Sequence, residues 1–286
     1  MRQKYLILGF SLIVLLAVSV YFAGCSKDDN PTNQVTEGSL TDPEFVPVQT
    51  QVNDFLDSTV QIFSDALDNS ARAPIDTQYV RTYYSPLGPN DTVTCVYLNG
   101  WYIVYVAKDN PYMSFHNNDS IQFQNNSVVV ENPIEMDYMH FIRHWEFVSK
   151  LTSVTHTSIN GDVDLEFSGL DGQVATVNGN KNYNVEWNYL SNDTSIVALY
   201  DMVVTVDSVT IYHSAGSGWP TACPSGGTLQ ANIAQTLTVT EGSVSNTLTR
   251  NWVATVTINE GVASVRVEGL NKVWNYTVDF CDPIAH

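Results

Sequence analysis

Residues 182–189 read NYNVEWNY. Tyr183, Val185, Trp187 and Tyr189 fall on one parity; Asn182, Asn184, Glu186 and Asn188 fall on the other. Successive side chains of a β-strand point to opposite faces, so the stretch predicts a strand with one buried and one wet face. The pattern recurs outward. Val163, Leu165 and Phe167 oppose Asp162, Asp164 and Glu166. Trp252, Ala254, Val256 and Ile258 oppose Asn251, Thr255 and Thr257, and Trp274, Tyr276, Val278 and Phe280 oppose Asn275, Thr277 and Asp279. Further strands are expected over 119–124, 127–131, 137–148, 202–213, 228–240, 246–258, 262–268 and 273–281.

Turn chemistry joins them. TVTCVYLNGWYIVYVAK predicts a hairpin at Asn99-Gly100, a pair that tolerates positive φ at both positions. TSVTHTSINGDVDLEFSG suggests a second hairpin on Asn160-Gly161, and ATVNGNKNYNVEW a turn from Asn178 to Lys181. VNGNKNYNVEW and VEGLNKVWNYTVDF share a faint pattern, read either as a duplicated hairpin unit or as similar hairpins choosing similar residues. Strands joined by short turns, without strand–helix alternation, predict a mainly β antiparallel meander, either a sandwich or a half-barrel.

One segment breaks the period of two. Val52, Phe55, Leu56, Thr59, Phe63, Ala66 and Leu67 recur at three- and four-residue steps, predicting an amphipathic helix over 48–70. Asp54, Asp57, Gln61, Asp65 and Asp68 fall mostly on its other side. The polar face has no basic residue to favour a membrane surface, so the apolar face is expected to dock on the sheet.

Ahead of the helix lies an address. Arg2 and Lys4 precede an apolar run from Leu6 to Phe22, and the run ends in Phe22-Ala23-Gly24-Cys25. FAGC resembles the lipobox of bacterial lipoproteins, usually Leu-Ala-Gly-Cys, with Phe22 as the departure. The resemblance implies a signal peptide over 1–24, cleavage before Cys25, diacylglycerol on its sulfur and a further acyl chain on the new amino terminus. Two or three chains anchor stably where one would not. Ser26 looks like the outer-membrane choice of Gram-negative sorting. CSKDDN is similar to the acidic export tag of surface-exposed lipoproteins, and reads equally as a solvated tether. Residues 25–47, rich in Asp, Asn, Pro and Thr, are expected to be flexible. Residues 71–286 then form the β domain, as one unit or as subdomains 71–213 and 214–286.

Removing residues 1–24 takes two of 12 basic residues and none of 30 acidic ones, leaving 262 residues with a net charge of −20. Such a body repels nucleic acid and anionic head groups. An oxidising compartment permits a disulfide. Cys223 and Cys281 bracket the last strand-rich block and are the expected pair, while Cys95 reads as a buried thiol.

Chemical motifs are few. His140 and His144 are four apart but alternate with apolar residues, so on a strand they stand about 13 Å apart and are expected to face solvent, not share an ion. Asp162, Asp164 and Glu166 read as a solvated face that discourages edge pairing, not as a calcium loop or glycosidase pair. Gly216-Ser217-Gly218 lacks the flanks of a nucleophile elbow, NGNKN is no phosphate loop, and no C-x-x-C occurs. The irregular loop SAGSGWPTACPSGG carries Trp219, which either covers the core rim or is exposed to stack on a ligand. No metal or cofactor is expected. The chain reads as a non-enzymatic lipoprotein of the outer membrane, facing the periplasm or the cell surface. Its role is binding or scaffolding, with a glycan, lipid or protein ligand left open. The alternatives are a carrier or sensor of a hydrophobe, resembling periplasmic lipoprotein carriers in architecture, and a glycan-binding or polysaccharide-acting protein.

Overall fold

A computed structural model describes residues 35–70, 91–133, 136–150, 155–191, 194–212 and 223–279. They form one helix, α1 (Val46–Ser70), and one sheet of thirteen strands. The strands are β1 (Thr36–Glu37), β2 (Thr92–Leu98), β3 (Trp101–Asp109), β4 (Met113–Asn125), β5 (Val128–Val130), β6 (Tyr138–Ser149) and β7 (Thr155–Ser168). They continue with β8 (Val174–Ser191), β9 (Thr194–Tyr212), β10 (Pro224–Glu241), β11 (Val244–Asn259), β12 (Val262–Gly269) and β13 (Lys272–Asp279). The order is β1-β13-β12-β11-β10-β9-β8-β7-β6-β4-β3-β2, with β5 against the end of β4. Every pairing is antiparallel except β1 on β13, and β1 and β2 are left as the two edges. The mainly β meander with one packed helix is therefore what the alternation predicted. It takes the open half-barrel form, because all the described strands belong to a single sheet. β9 and β10 pair from Thr194↔Glu241 to Ile211↔Pro224, so one sheet runs through both halves of the β region.

The helix explains the curvature. On α1, Asn53 accepts a hydrogen bond from the Tyr276 hydroxyl of β13 at 3.2 Å, while Ser58 accepts one from Lys181 of β8. These helix positions differ by about 7.5 Å of rise, whereas β13 and β8 are about 24 Å apart in a flat sheet. The sheet must therefore wrap round the helix. Phe63 meets Phe167 of β7 edge-to-face at 6.2 Å, and Asp65 reaches Arg143 of β6 at 2.7 Å. Among α1 residues 46–67 only Asp54, Asp57 and Gln61 are exposed, a single stripe at three- and four-residue steps. Pro47 sits in the first turn, where its missing N–H costs no intrahelical bond.

One row of the inner face runs from edge to edge through the register: Trp274, Val267, Ala254, Ala231, Val204, Lys181, Val163, Arg143, Asp119, Val104 and Cys95. The apolar members of this row are buried apart from the partly buried Cys95, as are Phe45, Val48, Val52, Phe55 and Leu56 on or beside the helix. Burying a side chain of this size is worth about 1.5–3 kcal/mol, so the helix's apolar face contributes strongly to the core.

Part of the expected tether is docked. Over 35–45, β1 pairs with β13, Phe45 stacks on Trp274 at 4.8 Å, and Lys272 binds Asp42 at 3.1 Å and Glu44 at 2.9 Å. Burial pushes the Asp42 carboxyl up, but hydrogen bonds from Lys272 and Trp274 outweigh it and hold the group below its usual range.

Turn chemistry succeeded once and failed twice. Asn99 and Gly100 have φ of 52° and 86° and close the β2–β3 hairpin. Asn160-Gly161 lies inside β7, opposite Trp145 on one side and Asn184 and Tyr183 on the other. Gly161 is there for room: a Cβ would sit 2.6 Å from Trp145 Nε1. Asn178 to Lys181 likewise stays within β8. Gly179 there has φ of 141° at a register shift against β9, where a Cβ would sit 2.1 Å from the Asp164 carbonyl oxygen. VNGNKNYNVEW is thus mid-strand, while VEGLNKVWNYTVDF is the β12–β13 hairpin turning at Leu270-Asn271. The faint repeat therefore joins unlike structures.

Candidate functional site

The inner face carries charge where the strand parity is apolar. Arg143 shares its face with Met139 and Phe141 and is buried. Its Nε and Nη2 donate to Asp119 Oδ1 and Oδ2 at 2.8 and 2.9 Å, and its Nη1 donates to Asp65 Oδ2 at 2.7 Å. Asn117 Nδ2 adds a bond to Asp119 at 2.9 Å, and Gln61 Nε2 one to Asp65 at 2.7 Å. Buried charges persist when paired and hydrogen-bonded like this. Lys181, 2% exposed, donates to the Ser58 hydroxyl. Burial, helped by the Arg143 charge, pushes its ammonium down to about 7. On β9 to β11 the Trp252 indole donates to Gln235, which donates to the Tyr200 hydroxyl. These groups clamp sheet to helix and strand to strand. Asp54, on the exposed stripe of α1, is hemmed in enough that desolvation, then the Asp57 charge, raises it to about 6.

The outer face is wet. His140 Nε2 lies 2.6 Å from Asp164, and His144 Nδ1 lies 2.7 Å from Asp162. His140 also stands 5.3 Å from the Trp101 ring. The histidines and acids singled out in the sequence are therefore on one solvent-facing surface and paired across β6 and β7. Among the described residues no group of three or more His, Cys, Asp or Glu is placed to hold a metal ion.

Further along this face, β7 to β10 form a groove of about 340 Å³. Its polar row is Asn160, Asn184 and Asp201, directly opposite one another across three strands, with Ala234 next. The neighbouring row is Ser158, Glu186, Leu199 and Thr236. Asn184 Nδ2 donates to Asn160 Oδ1 at 3.1 Å, and Asn188 Nδ2 to Glu186 Oε1 at 2.5 Å. Leu199 is 41% exposed. This groove is a candidate binding site.

Cys25, Trp219 and Cys281 lie outside the described residues. Cys223 is half-buried immediately before β10. Cys95, read as a buried thiol, is half-buried on the inner face of β2. No disulfide joins two described residues. Among them, no helix is long and apolar enough to cross a membrane.

Two features escaped sequence reading. The clamp of Asp65, Asp119, Arg143 and Lys181 had a signal: three of these charges sit on the apolar parity of their strands. Asp65, assigned to the helix's polar side, is instead buried against Arg143. The groove had none, since it needs four strands set in register. No protein-family model, curated protein or solved structure matches the chain.

Proposed function

We propose that the chain is a bacterial lipoprotein, anchored through acylated Cys25 in the outer membrane, whose β body has a non-catalytic binding or scaffolding role. The observation that carries this is the FAGC sequence at the end of the apolar run, followed by a polar tether. Nine residues lie between Cys25 and Val35, ten steps with a reach of at most about 35 Å. The body can thus stand clear of the head groups, as its negative charge favours.

The inner face supports binding at the surface over carriage within. A hydrophobe carrier needs a lumen, and α1 packs into the concave side where one would lie. The second reading, glycan binding, is favoured by the polar groove on the convex face. A Cys223–Cys281 link belongs to the same proposal. Asp279 pairs with Val262, Val262 with Asn259, and Asn259 with Gly226, so the chain leaves β13 at the sheet end where Cys223 enters β10.

The full chain, expressed in a Gram-negative bacterium, is expected to enter the detergent phase of a cloud-point extraction with a di- or tri-acylated Cys25 by mass spectrometry. Cys25→Ser is expected to move it to the aqueous phase. An unmodified Cys25 with aqueous partitioning of the parent chain refutes the anchor. Protease shaving of intact and lysed cells decides the leaflet, and non-reducing peptide mapping decides the disulfide.

A further inference from the structure

We infer that the convex-face groove over β7 to β10 binds a neutral polyhydroxylated ligand, a short run of saccharide. This rests on the binding reading above and names its ligand class and its site.

The groove spans four strands, about 14 Å from Asn160 to Ala234 at the usual strand spacing, enough for more than one sugar ring. Its lining contains no lysine or arginine, and the chain's net charge is −18, so an anionic ligand finds no cation to pair with and a field of like sign. What it offers is mostly acceptors, with the Asn160 amide and the Ser158 hydroxyl as donors beside them. Asn184 and Asn188 turn amide hydrogens onto Asn160 Oδ1 and Glu186 Oε1. That leaves the second Glu186 oxygen, the Asn184 carbonyl and both Asp201 oxygens for an incomer. A ligand dense in O–H donors complements that set, and bonds to carboxylates are the stronger kind. Leu199, 41% exposed among these polar groups, supplies an aliphatic floor for the C–H face of a ring.

A cationic ligand would also meet acceptors, and its binding would be screened by salt. The test uses the full chain in detergent on an array of neutral oligosaccharides, with hits titrated by calorimetry. At least one neutral oligosaccharide is expected to bind, with Kd changing less than about twofold between 0.05 and 0.5 M NaCl. Asp201→Ala is expected to weaken it about tenfold or more, the loss of charge-assisted hydrogen bonds. Ala234→Trp fills the groove from a solvent-facing position and is expected to abolish binding with the thermal midpoint kept. An array with no neutral ligand, binding that salt removes, or binding indifferent to both substitutions overturns the inference. The anchor is read from the mass of Cys25 and the groove from the array, so either can fail alone.

Discussion

Arg143 grips Asp119 through both carboxylate oxygens, at 2.8 and 2.9 Å, from a position directly opposite it across β6 and β4. Its remaining nitrogen reaches Asp65 on α1 at 2.7 Å, so one guanidinium ties two strands to the helix inside them. Arg143→Met keeps the length but strands two buried carboxylates. Urea unfolding, followed by tryptophan fluorescence, is expected to show a loss of about 3–5 kcal/mol. Replacing Arg143, Asp119 and Asp65 together by Met, Leu and Leu is expected to recover most of it. A loss below about 1 kcal/mol in the single variant counts against the clamp.

Lys181 is expected to make stability rise with alkaline pH. Its ammonium is pushed from 10.5 to about 7 by burial. Between those values the unfolded chain holds a proton that the folded one does not, so unfolding free energy increases with pH across that window. Below about 7 the cost of the buried charge is fully present. Lys181→Met should therefore stabilise by about 1–3 kcal/mol at pH 6 and by little at pH 10. Equal gains at both values, measured by denaturation, would rule this out.

Asp54 acts in the opposite window. Burial and Asp57 raise its carboxyl from 3.8 to about 6. Its contribution is whole below about 3.8, where both states are protonated, and is lost as pH rises through about 6. Asp54→Asn is expected to stabilise at pH 7 and to be neutral at pH 3.5. Because solvent reaches this carboxylate, the gain is about 1 kcal/mol or less. Thermal midpoints at the two pH values check it.

Gly161→Ala tests the unbroken course of β7. The added methyl meets Trp145, and a loss of about 1–3 kcal/mol is expected. Trp145→Leu in the same chain should relieve much of it. Were Asn160-Gly161 a hairpin turn, Trp145→Leu would give no relief.

Much of the fold could be read directly. The parity of residues 183–189 and of 252–258 named the buried faces, and the three- and four-residue recurrence of Val52, Phe55, Leu56, Phe63 and Leu67 named the helix and its docked side. Asn99-Gly100 was read correctly as a turn. Asn160-Gly161 carries a similar signal but is held extended by Trp145 packing over the glycine. A dipeptide preference of order 1 kcal/mol yields to a packed indole. The groove was not legible, because Asn160, Asn184, Asp201 and Ala234 become neighbours only when four strands are set in register.

By itself the sequence determined the strand faces, the helix and the open choice between sandwich and half-barrel, because periodicity and φ preference are properties of neighbours along the chain. Tertiary structure alone decided that the sheet wraps α1, that Arg143 and Lys181 are interior, and that the convex side is grooved. Each depends on what lies across from a residue: a charge is buried or solvated, and a glycine is a turn or a clearance, according to partners far away in the chain.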